Sequence, residues 1–258
     1  MLSQAPFHPT LATADLARAR DWYAEKIGWE PYLEPPGTLV YQVGDSFFSL
    51  YESEFAGSAE NTVMNWNVAD LRAEVARLRD NGVEFEDYDY GDFKTVDGIM
   101  TDPSGGMNAW FRDLDGNIVG VLQGAGAFGG RTLSAMIAAA DLHRAKRWYA
   151  EKLGFEPVEE FEGVVATYRS GESAFNVYQT EFAGTAKNTV GIWRLKGIRD
   201  EVARLRDRGV VFEDYDFGDE GGTVDGIMSD AEGDVNAWFT DSEGNILALA
   251  EDRGGDPA

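Results

Sequence analysis

Side chains suited to acid–base or metal chemistry are scarce in this chain of 258 residues. Histidine occurs only at His8 and His143, and cysteine is absent, which excludes disulfides, thiolate metal sites and cysteine nucleophiles. No G-x-S-x-G turn is present, and a serine triad would need one of the two histidines. We interpret His8 as a hydrogen-bonded strand residue, with a ligand or general base as the alternative, and His143 as a surface residue.

Clustered acidic residues offer oxygen ligands instead. Glu86-Asp87-Tyr88-Asp89 recurs as Glu213-Asp214-Tyr215-Asp216, and either cluster could hold a hard cation. Adjacent residues on a strand point to opposite faces, so we interpret both clusters as solvated acidic edges. Asp113-Leu114-Asp115-Gly116-Asn117 is similar to the opening of a calcium loop, but its glycine comes too early and Gly124 stands where the closing acid is needed. It favours a hairpin turn.

The overall charge limits the choice of partners. Forty-six acidic residues against 22 basic ones give a formal charge of −24, which repels nucleic acids and anionic membrane surfaces. A high-salt adaptation is a further hypothesis for this acidity. No apolar run of about 18 residues occurs, and residues 1–9 have neither a basic start nor an apolar segment, so we expect a cytoplasmic protein.

An internal duplication organises the chain. Trp22-Tyr23-Ala24-Glu25-Lys26 recurs at residues 148–152, and residues 74–80 recur at 201–207. We therefore predict two tandem domains and two short connecting or terminal segments, namely domain 1 at 1–123, a glycine-rich linker at 124–130, domain 2 at 131–251 and an acidic tail at 252–258. The linker reads G-x-G-x-x-G, but the strand pattern that follows it argues against a dinucleotide site.

Within each half, the order of a strand, a helix and further strands occurs twice. The first helix is predicted from Asp15, a suitable N-cap, to Ile27, with Gly28 ending it in the left-handed conformation. The second is predicted over 71–81. Strands are predicted in the first half at 8–13, 38–43, 47–51, 63–68, 83–85, 98–100, 107–112 and 118–122.

These residues resemble the vicinal oxygen chelate superfamily of glyoxalases, bleomycin-resistance proteins and extradiol dioxygenases. The resemblance is carried by ordered motifs that occur in both halves, among them Asp15-Leu16, Trp22-Tyr23, Gly28, Gly82-Val83-Glu84-Phe85 and residues 111–117. It implies an α+β fold of two tandem glyoxalase-like domains, each with two βαβββ modules that form a curved mixed sheet, a cup with helices outside. We expect each half to form its own cup, with pairing across the halves as the alternative.

The resemblance also implies four metal-ligand positions per cup. In the first half they are His8, Val63, Gly120 and Ser49 or Tyr51, and in the second half Ser134, Val190, Ala248 and Asn176 or Tyr178. A catalytic divalent metal usually needs about three protein ligands, and Val, Gly and Ala have no donor atoms in their side chains. We therefore expect no metal and no cofactor, and keep a divalent metal held with His8 as the alternative.

Strand alternation predicts which side chains line the cups. In the first cup we expect His8, Tyr51, Asn65, Asn67, Asn108 and Trp110, with Thr10, Ala12, Phe47, Ser49, Val63 and Gly120 beside them. In the second cup we expect Tyr178, Arg194, Asn236 and Trp238, with Met136, Asn176 and Ile192. The alternative for the two tryptophans is an ordinary core position.

Aromatic rings and amides together suit a partly planar organic ligand. We therefore predict a metal-independent small-molecule binder of the glyoxalase/bleomycin-resistance type, acting as a monomer or homodimer. The alternative is a metal-dependent lyase or dioxygenase of this superfamily that uses His8. The catalytic residues of such an enzyme are not identified by the sequence.

Overall fold

The computed structural model describes residues 2–91, 93–103, 105–124, 132–216, 218, 221–229 and 233–251. The first half consists of two modules. The first module contains β1 (Phe7–Thr13), α1 (Leu16–Trp22) with a π-helical turn (Tyr23–Ile27), β2 (Thr38–Val43) and β3 (Ser46–Glu52). The second contains β4 (Thr62–Asn67), α2 (Leu71–Asp80), β5 (Asp89–Tyr90), β6 (Phe93–Val96), β7 (Ile99–Thr101), β8 (Met107–Arg112) and β9 (Ile118–Gln123).

The second half repeats this order. Its third module contains β10 (Leu133–Ala139), α3 (Leu142–Trp148) with a π-helical turn (Tyr149–Leu153), β11 (Glu159–Phe161), β12 (Val165–Ser170) and β13 (Ser173–Gln179). Its fourth module contains β14 (Thr189–Arg194), α4 (Ile198–Asp207), β15 (Ile227–Ser229), β16 (Val235–Thr240) and β17 (Ile246–Glu251).

Local signals in the sequence place most of these elements. The Asp15 carboxylate accepts a hydrogen bond of 3.0 Å from the Arg18 main-chain N, which confirms the N-cap of α1. Gly28 ends the π-helical turn at φ 85°, a left-handed conformation that costs glycine little. The strand predicted at 83–85 is reduced to a single bridge between Phe85 and Phe111. No helix of the described residues is long and apolar enough to cross a membrane.

The strands form two mixed sheets, and both draw on both halves of the chain. The seven-stranded sheet has the order β15-β16-β17-β14-β1-β3-β2, so the fourth module joins the first. The ten-stranded sheet has the order β11-β12-β13-β10-β4-β9-β8-β7-β6-β5, so the third module joins the second. The two joints are antiparallel and equivalent: His8 lies opposite Ile192, and Ser134 lies opposite Asn65.

This arrangement corrects the expectation that each half forms its own cup. The α+β fold with two tandem sets of βαβββ modules is confirmed, but the modules pair across the halves. One reason is packing at the joint, where the Phe7 ring fills the space above Gly191 and lies 4.3 Å from the Trp193 ring. A side chain at residue 191 would overlap the Phe7 ring. The glycine at this position of β14 therefore leaves room for the phenylalanine of β1.

The helix-side cores, in contrast, form largely within each half. In the first half, Trp22 of α1 packs on Phe111 of β8, and Trp29 lies edge-on to Trp66 with centroids 4.8 Å apart. In the second half, Trp148 packs on Phe239 in the same way. Each half thus packs its helices against the strands of its own two modules. Each of these modules is joined, within a sheet, to a module of the other half. On this ground we propose keeping the domain division at 1–123 and 131–251; residues 125–130 of the linker and the tail 252–258 lie outside the described residues.

The Asp113–Asn117 segment is the turn between β8 and β9, as the sequence predicts. The buried Asp113 carboxylate accepts hydrogen bonds from the Tyr23 hydroxyl at 2.9 Å and from Asn117 Nδ2 at 2.8 Å. Asn117 Nδ2 also donates to the Ala12 carbonyl at 2.9 Å. The same bonds recur among Asp241, Tyr149, Asn245 and Ala138. The turn therefore connects helix, hairpin and first strand within one half, which is a structural role.

Candidate functional site

Each sheet presents one face to the helices and the other to a candidate binding site. In the seven-stranded sheet, register places His8 beside Ile192, Ile192 beside Ala248 and Ala248 beside Trp238, all on the face away from the helices. We call this face the seven-strand cup; it is formed by His8, Thr10, Ser49, Tyr51, Ile192, Arg194, Asn236, Trp238 and Ala248.

The ten-stranded sheet presents the equivalent face. Ser134 lies beside Asn65, Asn65 beside Gly120 and Gly120 beside Trp110. We call this face the ten-strand cup; it is formed by Asn65, Asn67, Asn108, Trp110, Gly120, Ser134, Met136, Asn176 and Tyr178.

The predicted site residues therefore share faces as expected but divide differently between the cups. His8 and Tyr51 lie with Arg194, Asn236 and Trp238, which the sequence assigned to the other cup. Asn65, Asn67, Asn108 and Trp110 lie with Asn176 and Tyr178. The reason is the pairing of modules across the halves. Strand alternation correctly predicts a face but carries no information about the neighbouring strand.

His8 is the most chemically distinctive residue of the seven-strand cup. Burial and the nearby Arg194 charge lower its pKa from 6.5 to about 4, while a hydrogen bond with the Phe47 main chain opposes this shift. The Phe47 ring stands edge-on to the imidazole, with centroids 5.7 Å apart. His8 is therefore neutral at physiological pH. His143, by contrast, is exposed in the first turn of α3, as predicted.

Amides and hydroxyls form a connected floor in the ten-strand cup. Asn176 is fully buried; its Nδ2 donates to Ser134 Oγ at 3.2 Å, and its Oδ1 accepts from Thr167 Oγ1 at 2.8 Å. Asn65, also buried, extends its Oδ1 over Gly120, where it would overlap a Cβ atom added at residue 120. The Asn65 amide thus occupies the space in which a longer side chain at residue 120 would begin.

Aromatic contacts close both cups. The Tyr215 ring stands edge-on to Trp238 with centroids 5.7 Å apart, and Tyr88 stands edge-on to Trp110 at 5.6 Å. Trp110 and Trp238 are half-buried on the cup faces, so they are not core residues of the helix side. The sequence analysis did not identify Tyr88 and Tyr215 as cup residues, because it considered these two segments only for their acidic side chains. Their recurrence at the same position of both halves was the available signal.

Each cup face has a tyrosine toward one end and a tryptophan toward the other. Tyr51 on β3 and Trp238 on β16 are four strands apart, which in a flat sheet is roughly 19 Å. Burial raises the pKa of Tyr215, as do the charge of Glu213 and, to a smaller extent, the Tyr51 hydroxyl. Tyr178 and Tyr88 interact in the same way, and burial raises the pKa of Tyr178 to about 12. Tyr51 and Trp238 lie toward opposite ends of one cup face, and Tyr178 and Trp110 lie toward opposite ends of the other.

The acidic clusters build the loops that place these tyrosines. Asp87 Oδ1 accepts hydrogen bonds from Thr95 Oγ1 and the Gly98 main-chain N, both at 2.9 Å. These bonds, the one from Gly98 first, hold the pKa of Asp87 below its ordinary value. Asp214 makes the same two bonds to Thr223 and Gly226. The side chains are exposed, as predicted, and they order the turn beside Tyr88 and Tyr215.

Comparison with known proteins agrees with this geometry. Residues 6–121 match the family model of the Glyoxalase/Bleomycin resistance protein/Dioxygenase superfamily, and the second half repeats them. The family model thus matches the first half of the chain. No curated protein matches the sequence.

Among solved structures, a glyoxalase I mutant from Zea mays matches this chain with TM-score 0.68 and 14% identity, covering 96% of this chain and 94% of that one. A putative dioxygenase from Bacillus subtilis matches with TM-score 0.56 and 15% identity, covering 98% and 86%. At these identities the likeness shows a shared fold over both halves.

The metal positions implied by the superfamily resemblance can now be grouped by cup. The seven-strand cup has His8, Ser49 or Tyr51, Val190 and Ala248 at these positions, and the ten-strand cup has Val63, Gly120, Ser134 and Asn176 or Tyr178. One imidazole, three hydroxyls or amides and apolar residues do not form a divalent metal site. Within the described ranges, no three His, Asp or Glu side chains group to hold a metal ion. The donor set in either cup therefore does not fit a resident catalytic metal.

Proposed function

We propose that the protein is a metal-independent binder of small, partly planar organic molecules. The observation that supports this most is the set of rings on each cup face: an edge-on pair of Trp and Tyr rings at one end and a second Tyr four strands away. A planar molecule placed between them would bury its faces against rings, which favours binding through area burial and aromatic contact.

Polar groups in the cups would orient such a ligand. Asn108 and Asn236 are half-buried beside the tryptophans, and Asn67 and Arg194 are half-buried at the ends of β4 and β14. An amide in a half-buried position stabilises a ligand that hydrogen-bonds to it and disfavours one that leaves it unpaired, by about 1–3 kcal/mol. Rings would thus supply affinity, and amides would supply specificity.

The alternative, a metal-dependent enzyme that uses His8, has weaker support. Such an enzyme needs about three strong donors with an open coordination position. The described side chains of the seven-strand cup supply one imidazole at the four expected positions, and those of the ten-strand cup supply none. We infer no reaction step through a metal.

Metal analysis of the purified protein tests the metal-independent part of the proposal. We expect less than about 0.1 equivalent of iron, zinc, nickel or manganese per chain, and a melting temperature unchanged by EDTA, because metal that binds the native state would raise it. The His8→Ala variant should give the same values. Near-stoichiometric metal in the wild type that is lost in His8→Ala contradicts the proposal.

A ligand screen tests the binding part. Planar aromatic compounds should raise the melting temperature, and those that do should quench tryptophan fluorescence. Trp110→Ala and Trp238→Ala should each weaken binding in one cup about tenfold, because loss of ring contacts and burial costs about 1.4 kcal/mol or more. Phe55→Ala, which removes a ring 45% exposed in the loop between β3 and β4, is the matched control. Unchanged affinity in both tryptophan variants would refute the assignment of the cups.

The cytoplasmic location and the monomeric or homodimeric state remain predictions of the sequence. We keep them as part of the proposal, together with the expectation that nucleic acids and membranes are not partners, because the net charge of −24 disfavours both.

A further inference from the structure

The duplication relates the two cups position by position, and near their centres the cups differ in bulk. In the seven-strand cup, Phe47 lies two residues before Ser49 on β3 and so shares its cup face. The Phe47 ring stands edge-on to the His8 imidazole, with centroids 5.7 Å apart, and lies 5.8 Å from the Tyr32 ring. We call His8, Phe47 and Tyr32 the ring ladder; it runs outward from the central strand β1 toward the β2 edge of the sheet.

The second half of the chain folds with small side chains at these positions. The residues that correspond to the ring ladder are Ser134, Ala174 and Val158. The backbone beside them is similar in both halves: the Tyr32 main-chain N donates to the Val40 carbonyl at 2.7 Å, and the Val158 main-chain N donates to the Thr167 carbonyl at 2.8 Å. This part of the fold therefore does not need three rings.

The exchange of rings for small side chains changes the volume available near the cup centre. Serine, alanine and valine each have fewer side-chain atoms than the histidine, phenylalanine and tyrosine to which they correspond. Two positions differ in the other direction, Met136 against Thr10 and Asn176 against Ser49, but these add fewer atoms than the ring ladder removes. The ten-strand cup therefore has more room beside β10 and β13 than the seven-strand cup has beside β1 and β3.

The ten-strand cup has its additional rings at the margins instead. Phe93 on β6 is 37% exposed and lies 5.4 Å from the Trp110 ring and 6.0 Å from the Tyr88 ring. Phe161 on β11 is 45% exposed, and its pairing with Val165 places it on the cup face. Both phenylalanines thus have ring surface that a ligand can bury.

The seven-strand cup has no ring at either of these marginal positions. Gly222 pairs with Asp216 and corresponds to Lys94 of β6, so the residue before it has the position of Phe93. The bridge of Leu33 with β2 corresponds likewise to the start of β11. The two residues at the marginal positions are Gly221 and Pro35. The bulk that distinguishes the seven-strand cup lies near its centre, and that of the ten-strand cup lies at its margins.

Building on the proposed function, we infer that the two cups select planar molecules of different size. The ten-strand cup accepts a large fused-ring molecule that extends from Trp110 toward Ser134 and Ala174. The seven-strand cup accepts a smaller one, because Phe47 occupies the corresponding space. Added bulk in a packed site is costly, so one ring on the cup face is sufficient to set the size limit.

Two hydroxylated arenes of different size test this inference in the full-length protein. 2-Naphthol has two fused rings and 1-hydroxypyrene has four, and both are uncharged at neutral pH. Equilibrium dialysis should give two 2-naphthol sites per chain, one in each cup, and one 1-hydroxypyrene site. Trp110→Ala should weaken 1-hydroxypyrene binding about tenfold, since it removes ring contact in the ten-strand cup, whereas Trp238→Ala should leave it within about twofold.

A reciprocal exchange at one position supplies the second arm. Phe47→Ala gives the seven-strand cup the residue of the other cup and should raise the number of 1-hydroxypyrene sites from one to two. Ala174→Phe introduces the ring into the ten-strand cup and should weaken 1-hydroxypyrene binding about tenfold, while 2-naphthol keeps both sites. Phe55→Ala, in the loop between β3 and β4, is the control and should change neither number. Circular dichroism melts establish that each variant is native, and either exchange alone is decisive if the other does not fold.

The outcomes separate the inference from the proposed function. If neither probe and no planar compound of the thermal screen binds, the proposed function fails and the inference with it. If planar compounds bind but 1-hydroxypyrene occupies no site or two sites in the wild type, or depends on Trp238, the inference is overturned while the proposed function stands. The same holds if 1-hydroxypyrene still occupies one site in Phe47→Ala or is unaffected by Ala174→Phe.

Discussion

Replacing His8 with serine, the residue found at the equivalent Ser134, should change how stability depends on pH. His8 has a pKa of about 4 in the folded chain against 6.5 in an unfolded one. Between these values the unfolded chain binds a proton that the folded chain does not, so wild-type stability falls as pH falls through this window and is nearly constant above about pH 7.5. His8→Ser has no imidazole at this position, so its stability does not fall for this reason.

The size of the effect follows from the shift. One pH unit within the window costs up to about 1.36 kcal/mol, so lowering the pH from about 7.5 to about 5 costs the wild type about 2 kcal/mol through His8, with about 0.4 kcal/mol of it lost by about pH 6.5. Asp113 and Asp241 shift in the other direction, because burial raises each pKa to about 6, and so stability gains as pH falls through that range. Both carboxyl groups are present in the variant, so they cancel in the difference.

Urea unfolding at pH 7.5, 6.5, 5.5 and 5.0 measures this difference. The free energy of unfolding of the wild type minus that of His8→Ser should fall by about 0.4 kcal/mol from pH 7.5 to 6.5 and by about 2 kcal/mol in total by pH 5. His143→Ser, which removes the exposed histidine of α3, is the matched control. A difference that stays within about 0.5 kcal/mol over the range, or an equal change in the control, would refute the assignment of His8 to a buried, positively charged surrounding.

Three further predictions concern the polar contacts of the fold and cups. Asn117→Ala removes donors to the Ala12 carbonyl and the Asp113 carboxylate, and should lower the free energy of unfolding in urea by about 2–3 kcal/mol; an effect below 0.5 kcal/mol contradicts the structural role of the turn. Gly120→Ala places a methyl group against Asn65 Oδ1 and should lower the free energy of unfolding by about 1–3 kcal/mol in the same assay. The control is Ala248→Gly at the equivalent position of the other cup, which adds no atom and so causes no such overlap. Asp87→Ala removes the acceptor for Thr95 and Gly98, and the loss of order at Tyr88 should weaken ligands of the ten-strand cup about fivefold with the seven-strand cup unchanged.

The sequence predicts the elements of this fold well because their signals are local and occur four times. Asp15 caps α1 and Gly28 ends the following turn from their own neighbours, without help from tertiary structure. Strands β2 and β8 have the predicted bounds, 38–43 and 107–112. The short strands β5 and β6 escaped prediction because their residues are largely exposed and show no apolar alternation.

The partner of each first strand could not be predicted on the same basis. β1 and β10 both alternate between a cup face and a core face, as do β4 and β14, so alternation permits either pairing. One contact that fits the observed pairing depends on volume: the Phe7 ring fills the space above Gly191, and a glycine in a strand is not informative until its neighbour is known.

Misassigned pairing then moved the predicted site residues into the wrong groups. The residue types were suitable, and alternation placed them on the correct faces, but His8 and Arg194 were assigned to separate cups although they share one. The predicted acidic edges at 86–89 and 213–216 are exposed, yet their main contribution is to the position of Tyr88 and Tyr215. Hydrogen bonds between a carboxylate and a main-chain N ten or more residues away have no sequence signature of their own.

Because β1 joins β14 and β10 joins β4, we expect the halves to assemble without the covalent connection between them. If the chain were cut between residues 124 and 132, two fragments would remain associated through two antiparallel ladders, as the subunits of a symmetric dimer do. Separately expressed fragments should therefore reconstitute both cups on mixing. A substitution in one fragment also reaches both cups, since each fragment contributes one module to either sheet.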